Sequence, residues 1–138
     1  MWTDEHSIET TASPEDIWQR WSDVASWPEW NADVEHIEIS GPFEAGSTIS
    51  MTPAGQEPIE LVIAEAVPPN LFVDEADLED VVVRTIHQVR RVEGGLSRVV
   101  YRIEITGPAA DTLGAELGPR ISGDFPEVLA ALVEHAER

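Results

Sequence analysis

AADTLGAELGPRISGDFPEVLAALVEHAER, residues 109–138, is the stretch around which the chain is organised. Leu113, Leu117, Ile121, Phe125, Val128, Leu129, Leu132, Val133 and Ala136 recur at spacings of three and four, the signature of a long C-terminal helix with one apolar face. Such a face needs a large partner surface. Most of the preceding chain alternates apolar and polar residues with period two, as an antiparallel sheet with one buried face does. The expected fold is α+β, a curved antiparallel sheet wrapped around the C-terminal helix with room for a pocket between them. Gly114, Gly118-Pro119, Gly123 and Pro126 interrupt the helix, and an internal proline costs about 3 kcal/mol unless the helix bends. Breaks are expected near Pro119 and Pro126, with Asp124 capping a final segment that ends at Glu137. Packing against the sheet suffices to explain such bends; a gate over a pocket mouth is the functional alternative.

The segment just before the helix sets a register. Val81 to Val92 and Leu96 to Thr106 read as the longest strand pair, joined around Glu93-Gly94-Gly95. Val99, Tyr101, Ile103 and Ile105 alternate with Val100, Arg102 and Glu104, so the first set should face inward. A three-residue turn at 93–95 pairs residues whose numbers sum to 188. Val89 then lies opposite Val99, His87 opposite Tyr101 and Thr85 opposite Ile103, with Val83 also inward. A two-residue turn would turn Arg84 and Gln88 inward, against the apolar pattern. His87 and Tyr101 thus share the concave face with Cβ atoms about 5 Å apart, close enough to share a hydrogen bond or a ligand. Arg91 falls on the same face near the hairpin end.

Upstream, Glu5 to Thr11 reads as a first strand, with His6, Ile8 and Thr10 on one face. Ser13 suits a helix N-cap, Pro14 the first helical position, and Glu15 and Asp16 the positive end of the dipole. Ile17, Trp18, Trp21, Val24 and Ala25 form the buried stripe of that helix, and Trp27-Pro28-Glu29-Trp30-Asn31 makes a short second helix or turn. Val34, Ile37 and Ile39 lead through Ser40-Gly41-Pro42 into Ser47 to Thr52. Ile59, Leu61 and Ile63 mark a strand stopped by Pro68-Pro69, and Leu71 to Val73 opens the next. Asp74-Glu75-Ala76-Asp77-Leu78-Glu79-Asp80 lacks the glycine and ligand spacing of a calcium loop and reads as a solvated acidic turn.

Ala12-Ser13-Pro14-Glu15-Asp16-Ile17-Trp18, then Trp27-Pro28-Glu29-Trp30-Asn31, then Gly41-Pro42-Phe43 with Gly46, Pro68-Pro69 and Gly107-Pro108 together resemble the START-like superfamily of polyketide cyclase/dehydrase and lipid-transport proteins. The resemblance covers nearly the whole chain, 1–138, as one domain. It implies the helix-grip fold, in which a curved antiparallel sheet grips a long C-terminal helix, the architecture that the periodicity suggests independently. It leaves activity open, because relatives include ligand carriers, receptors, co-chaperone-like proteins and enzymes.

Composition excludes several functions. Cysteine is absent, so there are no disulfides, thiolate metal sites or cysteine nucleophiles. The 27 acidic residues against eight arginines give a net charge of −19, which repels phosphate backbones and anionic lipid heads; nucleic acid is not an expected partner. The start Met1-Trp2-Thr3-Asp4-Glu5 has neither the basic beginning nor the apolar run of a leader, no membrane span is expected, and the expected location is cytoplasmic. A monomer or homodimer is expected. His6, His36, His87 and His135 form no HxxxH or HxH pair, so no metal and no cofactor is expected. His135 suits the negative end of the last helix.

A small hydrophobic molecule, of lipid, polyketide or isoprenoid type, is the expected partner, held between sheet and helix. The expected lining is Trp30, Ile49, Met51, Phe72, Val83 and Val89, completed by Val99, Ile103, Leu117 and Ile121, with Thr85, His87, Tyr101 and Arg91 as polar contacts. Trp18 and Trp21 are assigned to the core. His87 and Tyr101 are the candidate catalytic pair: an imidazole titrating near pH 6.5 takes a proton from an activated carbon while a phenol donates to a carbonyl or enolate oxygen, as a cyclase or dehydratase needs. The plainer reading is that they satisfy one another inside a binding pocket. A third reading is a co-chaperone-like interaction module with a filled interior.

Overall fold

The computed structural model describes residues 1–138. Four helices, α1 (Pro14–Ser22), α2 (Trp27–Trp30), α3 (Ala110–Ser122) and α4 (Phe125–Glu137), accompany seven strands: β1 (Trp2–Thr10), β2 (Val34–Ser40), β3 (Thr48–Pro53), β4 (Ile59–Val67), β5 (Leu71–Asp77), β6 (Val82–Arg91) and β7 (Ser97–Thr106). The strands form one curved antiparallel sheet in the spatial order β1-β7-β6-β5-β4-β3-β2 around the bent C-terminal helix, the helix-grip arrangement. Each strand from β2 to β7 pairs with its sequence neighbour, whereas β1 sits at the far edge beside β7. The segment containing α1 and α2 therefore crosses from one sheet edge to the other and closes one side of the concave face. No helix is long and apolar enough to cross a membrane.

The β6–β7 register is the one that the three-residue turn predicts. Val89 faces Val99, His87 faces Tyr101 and Thr85 faces Ile103. Gly94 and Gly95 supply the left-handed backbone at φ +79° and +76°, which side-chain-bearing residues rarely adopt. β1 begins at Trp2 rather than Glu5, and its inward row runs Trp2, Asp4, His6, Ile8 and Thr10.

Helix α1 starts as expected. The Ser13 hydroxyl accepts from the Asp16 N–H at 3.1 Å, and the Asp16 carboxylate reciprocates on the Ser13 N–H at 3.4 Å. Ile17 and Trp21 are fully buried and Trp18 half-buried, but the α-helix ends at Ser22 and a tight turn follows, which leaves Ala25 exposed instead of in the stripe.

The C-terminal helix corrects the sequence reading in two ways. It breaks once, at Gly123-Asp124, while α3 runs unbroken through Pro119. Pro126 explains the position, since it has no N–H for the Ser122 carbonyl four residues back and its ring would strike that oxygen; in the first turn of α4 neither defect matters. Asp124 occupies the N-cap position of α4 without a side-chain capping bond. The second correction concerns the buried face. Phe125, Val128, Leu129, Leu132, Val133 and Ala136 of α4 are buried as the periodicity predicts, and each fully buried aliphatic such as Leu132 contributes about 1.5–3 kcal/mol. In α3, by contrast, the buried residues are Ala110, Gly114, Gly118 and Ser122; Leu113 is exposed and Leu117 and Ile121 are half-buried. The cause is Trp2, whose indole from the sheet edge fills the notch left by Gly114 and Gly118. A Cβ on Gly114 would lie 2.6 Å from the Trp2 Cβ, and one on Gly118 would overlap the indole ring.

Gly118→Ala is therefore expected to lower stability by about 1–3 kcal/mol through overpacking. In a Trp2→Ala background the same substitution should cost far less, because the ring that it strikes is gone. Urea unfolding of the four proteins of this double-mutant cycle measures the coupling, and additive effects would refute the notch.

Candidate functional site

Strand register builds the site as rows of inward side chains running across the sheet. One row is aromatic: Phe72 on β5 faces His87 on β6, which faces Tyr101 on β7, which faces His6 on β1. The Phe72 and His87 rings stack at 3.8 Å and 5°, and His87 meets Tyr101 edge-on at 4.6 Å. The next row is Asp74, Thr85, Ile103 and Asp4. Trp21 of α1 caps the aromatic row, with ring centroids 5.2 Å from Phe72 and 5.9 Å from His87.

Between these rows and the bend of the C-terminal helix lies a cavity of about 370 Å³. Its walls come from α2, the inner face of β3 to β7, and the residues on either side of the helix break. Trp30, Met51, Phe72, Val83, Thr85, His87, Tyr101 and Ile121 of the expected set line it. Ile49, Val89, Val99 and Ile103 are buried core residues away from the cavity, and Leu117 lies beside that core without reaching the cavity. Arg91 is outside the cavity altogether, with its guanidinium 3.7 Å from the Glu15 carboxylate and mostly in solvent. The hairpin end projects beyond the enclosed region, so facing the concave side there does not mean facing the cavity.

His87 and Tyr101 meet, yet they do not bond to each other. The His87 Nδ1 lies 3.2 Å from the Phe72 carbonyl oxygen and so carries the proton of a neutral ring, while the Tyr101 hydroxyl oxygen accepts from the Trp21 indole N–H at 3.1 Å. Burial disfavours the charged form of both. It drops the His87 pKa to about 3 and pushes that of Tyr101 well above the ordinary phenol value. His87 is thus a neutral aromatic wall at physiological pH, not the imidazole titrating near 6.5 that a general base requires.

The ionisable group that the acidic run conceals is Asp74. Asp74, Glu75, Ala76 and Asp77 continue β5 instead of forming the expected solvated turn, which is confined to the residues after Asp77. Phe72, Asp74 and Ala76 alternate inward, and Asp74 is only 6% exposed, on the cavity wall. Desolvation, aided by the neighbouring Glu75 charge, raises its pKa to about 7; no cation or hydrogen-bond donor opposes the shift. Period-two alternation continued past Val73 would have found it. At the cavity mouth, Asp124 at the helix break faces Asp33, and burial together with that second carboxylate raises the Asp124 pKa to about 7. Arg120, the one cationic residue of the lining, is exposed and pairs with Glu116 at 3.6 Å. Nothing in sequence spacing links Asp33, Arg120 and Asp124.

Ser122, Asp4 and His6 also come together. The Ser122 hydroxyl donates to the Asp4 carboxylate at 2.8 Å, and the His6 Nε2 lies 3.1 Å from the same oxygen. The carboxylate sits between hydroxyl and imidazole, so the imidazole does not reach the serine and the cluster is a clasp between β1 and the end of α3. The Ser122 bond is the main reason that the Asp4 pKa falls below its usual value. No group of three or more histidine and carboxylate side chains is arranged to hold a metal.

The sequence model of the family described as "Polyketide cyclase / dehydrase and lipid transport" matches residues 1–137. The chain belongs to this family. Among curated protein sequences none matches it. Solved structures show how widely the fold of this polyketide cyclase/dehydrase and lipid-transport domain is shared. Norcoclaurine synthase from Thalictrum flavum superposes with a TM-score of 0.75 at 18% identity over 96% of this chain and 84% of its own. A START superfamily protein from Mycobacterium smegmatis does so at 0.69 and 15% over 98% and 97%. The di-domain aromatase/cyclase BexL of the BE-7585A biosynthetic pathway reaches 0.76 at 16%, with 99% of this chain covering 50% of that one. At these identities the likeness establishes the fold alone.

Asp74 carries a measurable consequence for stability. Its folded-state pKa of about 7 lies above the ordinary 3.8, so stability present at pH 4 is lost as pH rises from about 4 through about 7. Asp74→Asn should match the wild type near pH 4 and exceed it at pH 8 by up to roughly 4 kcal/mol. Urea denaturation at the two pH values checks this, and equal stability at pH 8 would refute it.

Proposed function

We propose that the domain binds a small, largely apolar molecule in the cavity between the sheet and the C-terminal helix. The observation that carries this reading is the cavity itself: about 370 Å³, walled largely by apolar residues such as Trp27, Trp30, Phe72, Val83 and Phe125, with polar groups on the sheet and at the helix break. A well-packed interior leaves few voids larger than a water molecule, so a space of this size is a feature that sequence and fold maintain. Its Thr85 and Tyr101 hydroxyls and the Asp74 carboxylate supply orientation, while the neutral His87 ring supplies a flat surface. Family membership points the same way, since polyketides and lipids are apolar cargo of suitable size. A filled interior, which the interaction-module reading requires, is at odds with the cavity. A cyclase that uses His87 as base and Tyr101 as acid is the weaker alternative, because burial lowers the His87 pKa to about 3 and raises that of Tyr101, which leaves a weak base and a weak acid.

The test is a panel of flat aromatic polyketides, fatty acids and isoprenoids, followed by tryptophan fluorescence and thermal midpoint together. At 100 times Kd a specific ligand should add about 2.7 kcal/mol and raise the midpoint by several degrees. Thr85→Trp, which fills the cavity from its own wall, should abolish that rise while leaving a cooperative unfolding transition. A panel without a single hit, or a hit unaffected by Thr85→Trp, would overturn the reading; consumption of a bound compound would favour the enzyme.

A further inference from the structure

We propose that the cavity selects ligands carrying a protonated amine on an apolar body, with the Asp74 carboxylate as the receptor for the ammonium group. The inference rests on the binding role proposed for the cavity and narrows the class of molecule held there.

Its basis is an unpartnered, buried carboxylate on a cavity wall. Asp74 is more than nine-tenths buried, sits between Phe72 and Ala76 on the inner face of β5, and borders the cavity. No side chain answers it. Opposite on β6, Thr85 makes no hydrogen bond to it, and His87 is neutral with its Nδ1 turned to the Phe72 carbonyl. On β7, Tyr101 is neutral and receives the Trp21 N–H. Glu75 projects from the outer face of the same strand, where Arg84 engages it at 3.3 Å. From the helices and the loop before β2, the charges at the cavity are Asp33, Asp124 and Arg120, and the arginine is spent on Glu116 and solvent. Burying a charge without a partner is costly, and a family fold in need only of an apolar container would be better served by leucine or asparagine at this position. A ligand that brings a cation and N–H donors removes the penalty. One that brings a carboxylate adds a second negative charge to a site with three acidic residues around it, in a chain of net charge −19. The raised pKa of Asp74 describes the same unpaired state in the empty cavity. The Tyr101 hydroxyl oxygen is occupied as an acceptor, which leaves its hydrogen for an oxygen on the same ligand.

Three probes with one naphthalene body separate the contributions: 2-naphthylmethylamine, 2-naphthylmethanol and 2-naphthoate, titrated calorimetrically into the full chain at 0.15 M salt. The amine should bind at pH 8 at least tenfold tighter than the alcohol, with the naphthoate weakest. Between pH 8 and pH 6 the amine should lose about tenfold in affinity as Asp74 takes up a proton, whereas the alcohol should change far less. Asp74→Asn should bring the amine down to the alcohol and remove the pH dependence of amine binding. That variant also excludes a diffuse attraction of cations to an acidic protein, since it alters one of 27 acidic residues. Equal binding of amine and alcohol, or an amine preference that survives in Asp74→Asn, overturns the inference and leaves the container intact. Binding of none of the three also overturns it, and the wider ligand panel then decides separately whether the cavity binds anything.

Discussion

The contact on which the interior depends is the indole N–H of Trp21 against the hydroxyl of Tyr101. It joins the first helix to β7, the strand next to the β1 edge, where the side chains of Phe72, His87 and Tyr101 from adjacent strands lie in a row. Without it, a buried phenol and a buried indole would each lack a partner, at a cost of about 1–3 kcal/mol per group. With it, Trp21 is fixed over Phe72 and His87, and the Tyr101 oxygen and the His87 Nδ1 are both engaged by structure. The same bond therefore sets where the core ends and where the cavity begins. On the Trp21 side the space is packed; on the side of Asp74 and the helix break it is open.

Charge is distributed against that geometry. The outer face of the sheet interleaves Arg84 and Arg102 with Glu5, Glu65, Glu75 and Glu104, exposed pairs of small individual value that keep a strongly acidic chain from repelling itself strand by strand. Inside, Asp74 has no such partner, and at the mouth Asp33 and Asp124 face each other across the point where the helix bends. These are unfavourable placements for stability. Natural proteins retain such defects where an interaction with something outside the chain compensates them, which is why the carboxylates and not the aromatic pair carry the functional argument.

How far the sequence could be read varied with the kind of pattern. Periodicity gave the sheet, the buried stripe of α4 and the pairing of His87 with Tyr101, because each depends on local alternation and on the length of one turn. It failed for α3. There, Leu113, Leu117 and Ile121 looked like the buried face, but Gly114 and Gly118 admit an indole from Trp2, more than a hundred residues away, and small residues win the interface. It failed also for the acidic run, where composition outweighed alternation and hid an inward carboxylate. The break near Pro126 was legible because proline acts on its own helix. Pro119 was misread because its effect on α3 is absorbed without ending the helix.

The sequence by itself determined the α+β class, the order of strands and helices, the hairpin register and the family, since all of these follow from short-range periodicity, turn chemistry and the spacing of Pro, Gly and Trp. Only the tertiary structure decided which inward residues border empty space and which are packed, that His87 and Tyr101 each bond a third group instead of one another, and that Asp74 bonds none. The reason is physical. Facing inward is a property of one strand, whereas solvation, pKa and the presence of a cavity depend on what the rest of the chain places a few ångströms away.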